Sequence, residues 1–193
     1  MKLKKFEGNP ILSPTDANDW ESLVTCNPGV IYDDGTFYML YRAAGNDAEH
    51  VIRLGLATSK DGFHFERVSD MPAFGPSEDG PDSGCVEDPR IVKYDTEYYI
   101  TYAYRPYSPG QYWNFGHDEI LLPECGSDAP MALRKNLGNT GLAVTTDFRE
   151  FKRLGRLTSP VLDDRDVILF PEKVQGKYVM LHRPCLLYTS DAA

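Results

Sequence analysis

Pro89-Arg90-Ile91-Val92-Lys93, then Tyr94-Asp95-Thr96, then Tyr98-Tyr99-Ile100-Thr101-Tyr102 is the stretch whose reading decides the fold. An apolar run, a short polar turn and an aromatic, β-branched run form a hairpin signature. The same order occurs upstream as Pro28-Gly29-Val30-Ile31-Tyr32, Asp33-Asp34-Gly35 and Phe37-Tyr38-Met39-Leu40-Tyr41, with proline and turn both displaced by 61 residues. It occurs a third time as Pro171-Glu172-Lys173-Val174, Gln175-Gly176 and Tyr178-Val179-Met180-Leu181-His182. This pairing of Pro28, Pro89 and Pro171 predicts that Asn27, Asp88 and Phe170, the residues before them, are structural equivalents. A second hairpin follows each of the first two. Gly55-Leu56-Ala57-Thr58-Ser59 leads to the run Asp61 to Arg67, and Gly141-Leu142-Ala143-Val144-Thr145 leads to the run Asp147 to Arg153, 86 residues later. Two hairpins per repeat make a four-stranded antiparallel unit, the blade of a β-propeller. Three similar hairpins in a β-sandwich are the alternative.

Two departures from the repeat carry expectations. The second unit holds an insertion, residues 106–140, containing Gln111-Tyr112-Trp113-Asn114, His117 and Arg134-Lys135-Asn136. A connection of that length in a compact domain points to function. The third unit stops after one hairpin. Two and a half blades cannot close a ring and would leave open sheet edges. The reading is therefore an all-β chain whose residues 1–184 form the N-terminal part of one propeller domain. Residues 185–193 continue no blade pattern and read as a non-native tail resembling translated adaptor sequence.

Composition narrows the partners. The net charge of −9 argues against nucleic-acid or anionic-membrane partners. Met1-Lys2-Leu3-Lys4-Lys5 is followed by Phe6-Glu7-Gly8-Asn9-Pro10 where a signal sequence needs an apolar run, so a cytoplasmic location is expected. The four cysteines, Cys26, Cys85, Cys125 and Cys185, are widely spaced and read as free thiols, with zinc not expected.

The chemistry centres on Glu87-Asp88-Pro89-Arg90. Proline fixes its own φ and disfavours helical geometry before it, so Asp88 is expected to be extended at the start of a strand and aimed into a cleft. Asp-Pro is also a common turn dipeptide. In a propeller the innermost strands line the axis, so equivalent positions converge. That gathers Asn27, Arg42, Asp88, Arg105, Lys173, His182 and Arg183 around one funnel, with Arg53 as a further candidate beside them. Cations outnumber carboxylates there: Asp88 is central, and Glu87 and Glu172 flank it. Inverting cleavage of a glycosidic bond by water needs a second carboxylate as base. Attack by phosphate needs no base, and arginine forks hold the anion. One acid among many cations favours phosphorolysis. A propeller glycosidase using water and a non-catalytic sugar-binding propeller are the alternatives.

Glu87-Asp88-Pro89-Arg90, Gly141-Leu142-Ala143, the run Asp164 to Lys173 and the run Gly176 to Pro184 resemble glycoside hydrolase family 130, the mannoside phosphorylases and their relatives. The resemblance implies a five-bladed β-propeller, of which about two and a half blades are present. It implies phosphorolysis of β-mannosides, such as β-1,4-mannosyl-glucose or mannooligosaccharides, to α-mannose 1-phosphate. Asp88 is then the acid, protonating the leaving oxygen through the mannose 3-hydroxyl as relay. Arg105, Arg134 or Lys135, and Lys173, with His182, would hold phosphate; Asn27, Arg42 and Arg53, with Tyr104 and Arg183, would hold the sugar. Asp166 would be structural. Phosphate enters as co-substrate, and no metal or organic cofactor is expected. The partners are a mannosyl disaccharide or oligosaccharide and inorganic phosphate. A homo-oligomer is admitted, and acceptor and linkage stay open.

Overall fold

Ten β-strands form three antiparallel sheets in chain order, in a computed structural model that describes residues 4–111 and 120–185. The first sheet is β1 (Val24–Asp33), β2 (Thr36–Ala44), β3 (Arg53–Ser59) and β4 (Glu66–Arg67), each strand bonded to the next. The second repeats that order with β5 (Cys85–Tyr94), β6 (Glu97–Arg105), β7 (Asn139–Thr145) and β8 (Lys152–Arg156). The third is one hairpin, β9 (Asp163–Leu169) and β10 (Met180–Cys185). Each four-stranded meander is a blade. The first strands lie side by side, β1 against β5 and β5 against β9, so they are the inner strands.

The blade interior explains the repeat. Tyr41 on β2 donates its hydroxyl to Glu21 Oε2 at 2.9 Å, and Arg67 on β4 reaches Glu21 Oε1 at 2.8 Å. In the second blade Tyr102 donates to Asp82 Oδ2 at 3.0 Å and Arg153 reaches the same oxygen at 2.7 Å. Gly55 and Gly141 stand on the strands beside these tyrosines, where a Cβ would lie 2.2 Å and 2.5 Å from the rings. The glycine of each third strand and the arginine of each fourth are thus one packing unit. Between the two blades Leu40, Leu56, Tyr98, Ile100 and Phe148 make a buried cluster. Thr101 Oγ1 donates to Val167 O at 2.7 Å and Thr140 Oγ1 to Asp164 O at 3.0 Å, docking the third hairpin on the second blade.

Both inner prolines sit in β-bulges. The β1–β2 register shifts between Cys26 and Gly29, and the β5–β6 register between Glu87 and Arg90. Proline has no N–H for the ladder, and a bulge is where a strand tolerates that loss. The residues before them are not extended, contrary to the sequence reading: Asn27 has φ 43° and Asp88 φ 53°. The bulge places them in the left-handed region, which Asn and Asp tolerate better than other L-residues.

The third hairpin corrects the proposed equivalence. Its turn falls at Gln175-Gly176, flanked by a bridge between Val174 and Lys177, as the pattern predicts. Its main ladder, however, uses residues 163–169, before Pro171, and its bulge lies opposite the shift between Leu181 and Arg183. The positive-φ residue there is Asp166, at 59°, so Asp166 rather than Phe170 matches Asn27 and Asp88.

The four cysteines are free. A short helix, α1 (Met131–Arg134), lies in the insertion. Trp113, Asn114 and His117 of that insertion, and residues 186–193 of the expected tail, lie outside the described residues, while Cys185 ends β10. No described helix is long and apolar enough to cross a membrane.

Gly29 is where the two bulges meet. A Cβ there would stand 2.6 Å from the carbonyl oxygen of Pro89. Backbone cannot yield as a flexible side chain does, so Gly29→Ala is expected to cost about 1–3 kcal/mol. Thermal unfolding checks this, with Gly35→Ala as the contrast, where a Cβ meets no neighbour and the cost is that of positive φ alone.

Candidate active site

The bulges bring Asn27, Arg42, Glu87, Asp88 and Arg105 into one connected group. Asp88 Oδ1 accepts from Asn27 Nδ2 at 2.9 Å and from Arg42 Nη1 at 3.2 Å. Arg42 Nη1 also forms an ion pair with Glu87 Oε2 at 2.6 Å, and Arg105 Nε approaches Glu87 Oε1 at 3.7 Å. Arg105 Nη1 donates to the carbonyl of Asn136, which ties the group to the insertion. The side chain of Asp88 is 16% exposed and that of Glu87 only 5%. Asp88 therefore has one oxygen anchored twice, while its Oδ2 takes no hydrogen bond among the described residues. Burial opposes the charge on Arg42, but the Glu87 and Asp88 carboxylates outweigh it and push its pKa above the ordinary guanidinium value. Burial also raises the Cys26 thiol nearby, so it is not set up as a thiolate nucleophile.

A second group lies on the third hairpin. His182 Nδ1 is 2.8 Å from Asp164 Oδ2, and Arg183 Nη2 is 2.8 Å from Asp166 Oδ2. Arg90 Nη2 reaches Asp166 Oδ1 at 3.6 Å. Arg90 follows Asp88-Pro89 directly, so it bridges the two groups. Arg183 and His182 thus face the acids of β9 in place of the Asp88 carboxylate.

The remaining expected residues stand apart, and no described contact joins them to the Asp88 group. Lys173 is exposed, with Nζ 4.6 Å from the centroid of the Tyr178 ring. Arg53 Nη1 donates to Val51 O at 3.1 Å, and its side chain lines a separate shallow cavity of about 500 Å³ with Pro72, Gly75 and Glu78. Arg134 Nε donates to Ala129 O at 2.9 Å, and Lys135 beside it is exposed. Tyr104 is not a surface residue: it is 3% exposed in a core cluster with Phe74, Val86 and Tyr102. The alternation of β6 turns its ring into the sheet interior.

Three polar residues of these groups have no role in the sequence reading. Glu87 stands there only as a flank of Asp88. Asp164, 2% exposed, holds His182, and Asn136, fully buried, ties residues 107, 108 and 121 of the insertion together. The excess of cations over acids was the available signal for Glu87, because two arginines this buried require a counter-charge. Among the described residues no group of acidic, His or Cys side chains is arranged to hold a metal ion.

The sequence profile of glycoside hydrolase family 130, described as beta-1,4-mannooligosaccharide phosphorylase, matches residues 2–113. The chain is 35% identical over 193 residues to a 1,2-beta-oligomannan phosphorylase of Thermoanaerobacter sp. (strain X514), covering 95% of this chain and 54% of that protein. It is 30% identical over 197 residues to a beta-1,2-mannobiose phosphorylase of the same organism, covering 95% of this chain and 55% of the relative. The structure of the Listeria innocua beta-1,2-mannobiose phosphorylase in complex with beta-1,2-mannobiose superposes with a TM-score of 0.66 at 21% identity, over 95% of this chain and 59% of that one. The chain spans about half the length of the curated relatives it matches. The family fold is a five-bladed β-propeller, and this chain supplies two four-stranded blades and one hairpin of it.

Proposed function

Because the chain belongs to glycoside hydrolase family 130, we propose that the whole protein is an inverting β-mannoside phosphorylase in which Asp88 is the acid. The observation that carries this reading is the asymmetry of Asp88: Oδ1 is fixed by Asn27 and Arg42, and Oδ2 takes no hydrogen bond among the described residues. A carboxyl group held by one oxygen can present a proton on the other at a fixed point, which is what general-acid catalysis requires. Glu87 is closed off between two arginines, and Asp166 is paired with Arg90 and Arg183, so neither is free as a base for water. Phosphate brings its own negative charge and needs no base. On this reading the mannosyl group passes to phosphate, the mannose 3-hydroxyl relays the proton from Asp88, and α-mannose 1-phosphate leaves. Asn27 and Arg42 hold the sugar beside the acid. Arg105, His182 and Arg183 supply the cationic surround, with Lys173, Arg53, Arg134 and Lys135 joining only on rearrangement. The reading calls for no metal or organic cofactor.

The linkage we propose is β-1,2. The two relatives at 35% and 30% identity carry names specifying 1,2-linked substrates, whereas the family profile is described by a 1,4-linked one. Whole-chain relatives weigh more than a profile description that covers many members. The test incubates the whole protein with β-1,2-mannobiose or β-1,4-mannobiose, each with and without phosphate. Phosphate-dependent consumption of the 1,2-linked sugar is expected. Release of mannose at the same rate without phosphate would mean a hydrolase, and tight binding without turnover a sugar-binding propeller. Preference for the 1,4-linked sugar would overturn the linkage alone.

A further inference from the structure

Glu87 is a buried carboxylate that the proposed reaction does not use. It neighbours the acid in sequence, and its side chain is 5% exposed against 16% for Asp88. One guanidinium nitrogen, Arg42 Nη1, serves both carboxylates, and it lies closer to Glu87 Oε2, at 2.6 Å, than to Asp88 Oδ1, at 3.2 Å. On its other side Glu87 faces Arg105 at 3.7 Å, and Arg105 is fixed in turn by the Asn136 carbonyl. Arginine left alone with one carboxylate tends to engage both of its oxygens with two parallel N–H groups. If Arg42 did so with Asp88, it would close Oδ2, the oxygen that the acid needs free.

Resting on the proposed reaction, we infer that Glu87 is a positioning residue, which draws Arg42 aside so that Asp88 keeps one oxygen anchored and the other open. It also supplies the counter-charge that allows Arg42 and Arg105 to lie buried next to each other. The two roles use the same two oxygens: Oε2 faces Arg42 and Oε1 faces Arg105. The bulge makes this arrangement available. Glu87 is the last residue paired before the shift in register, opposite Ala103, whereas Asp88 lies in the bulge itself. Adjacent acids are thereby turned to different environments, Glu87 between two arginines and 5% exposed, Asp88 with one oxygen anchored and 16% exposed.

The test compares Glu87→Gln, which keeps the shape and removes the charge, with Glu87→Asp, which keeps the charge on a shorter stem, both in the whole protein. Two readouts are needed. In a crystal structure of Glu87→Gln, the Arg42 guanidinium is expected to have turned onto both oxygens of Asp88. In kinetics on β-mannobiose and phosphate, kcat is expected to fall roughly 100-fold, the size of effect that small misplacements of reacting groups produce, with KM for the mannoside changing by no more than about threefold. Glu87→Asp is expected to recover part of the lost kcat. Thermal melting identifies a variant that has simply failed to fold, in which case Glu87→Asp alone carries both readouts, with a partial kcat loss expected. Arg42 unmoved in Glu87→Gln, or a kcat equal to that of the unaltered protein, would overturn the inference. If the unaltered protein cleaves mannosides without phosphate, the proposed function falls, while the position of Arg42 still decides the role of Glu87.

Discussion

Asp88→Asn is expected to lower the rate of β-mannoside phosphorolysis by about 10³-fold, within the range that a positioned general acid contributes. The substitution is close to isosteric. Asn can still offer a carbonyl oxygen to Asn27 Nδ2 and Arg42 Nη1, the two donors that now hold Oδ1 at 2.9 and 3.2 Å. What it cannot do is donate a transferable proton from the other position. The bulge geometry is retained as well, because Asn is the native residue at the equivalent bulge, Asn27, with φ 43° against 53° at Asp88. The loss should therefore appear in kcat with little change in thermal stability or in KM for the mannoside. A substrate whose leaving group needs no proton would recover much of the rate, and measuring both substrates separates loss of the acid from loss of the site. Equal loss on both would mean that Asp88 holds the sugar rather than protonating it.

The second large effect is on stability. Glu21 is fully buried and accepts from Asn18 Nδ2, Tyr41 Oη and Arg67 Nε. Burial, reinforced by that carboxylate, pushes the Tyr41 phenol well above its usual range, so the hydroxyl stays a donor. Glu21→Ala removes the acceptor of three donor groups and leaves the Arg67 charge without its counter-ion. Breaking a buried pair from one side costs about 3–5 kcal/mol, which for a chain of this size lowers Tm by roughly 10 °C. Tyr41→Phe, which deletes one neutral donor, is expected to cost only about 1 kcal/mol. A thermal melt in which the two variants are equally destabilised would show that the Tyr41 hydroxyl bond, and not the buried Arg67 charge pair, accounts for what Glu21 contributes to the first blade. Asp82 makes the same arrangement with Tyr102 and Arg153, so Asp82→Ala should reproduce the effect in the second blade.

These two units explain what could be read from the chain. The paired features of the sequence, a glycine in the third strand and an arginine in the fourth, are local signals of one non-local contact. Tyr41, Gly55 and Arg67 recur as Tyr102, Gly141 and Arg153, and repetition made the contact visible before its partner acids were known. The prolines were equally legible as markers of special positions. Their conformation was not, because Pro89 viewed alone predicts an extended Asp88, and only the ladder to Ala103 and Thr101 shows a bulge. The third hairpin departs from the sequence repeat for a related reason. Residues 163–169 carry three aspartates and an arginine and do not look like an inner strand. They become one because the charges are met across the hairpin and from the neighbouring blade, Asp164 by His182 and Asp166 by Arg183 and Arg90. Those partners are distant in sequence, so nothing local marks the strand. The group of cations around the acid is likewise smaller than the repeat alone implies. Arg42 and Arg105 do meet the acid, but Lys173 lies over Tyr178, Arg53 turns back to Val51, and Tyr104 packs inward.

The measurement that tests the central claim most directly is the anomeric configuration of the first product. Incubating the whole protein with β-1,2-mannobiose and inorganic phosphate, and following the reaction by phosphorus and proton magnetic resonance, should show α-mannose 1-phosphate appearing in step with loss of the disaccharide, and Asp88→Asn should suppress that signal. Accumulation of free mannose with no sugar phosphate, or β-mannose 1-phosphate as the first product, would contradict single-step inversion by phosphate with Asp88 as its acid.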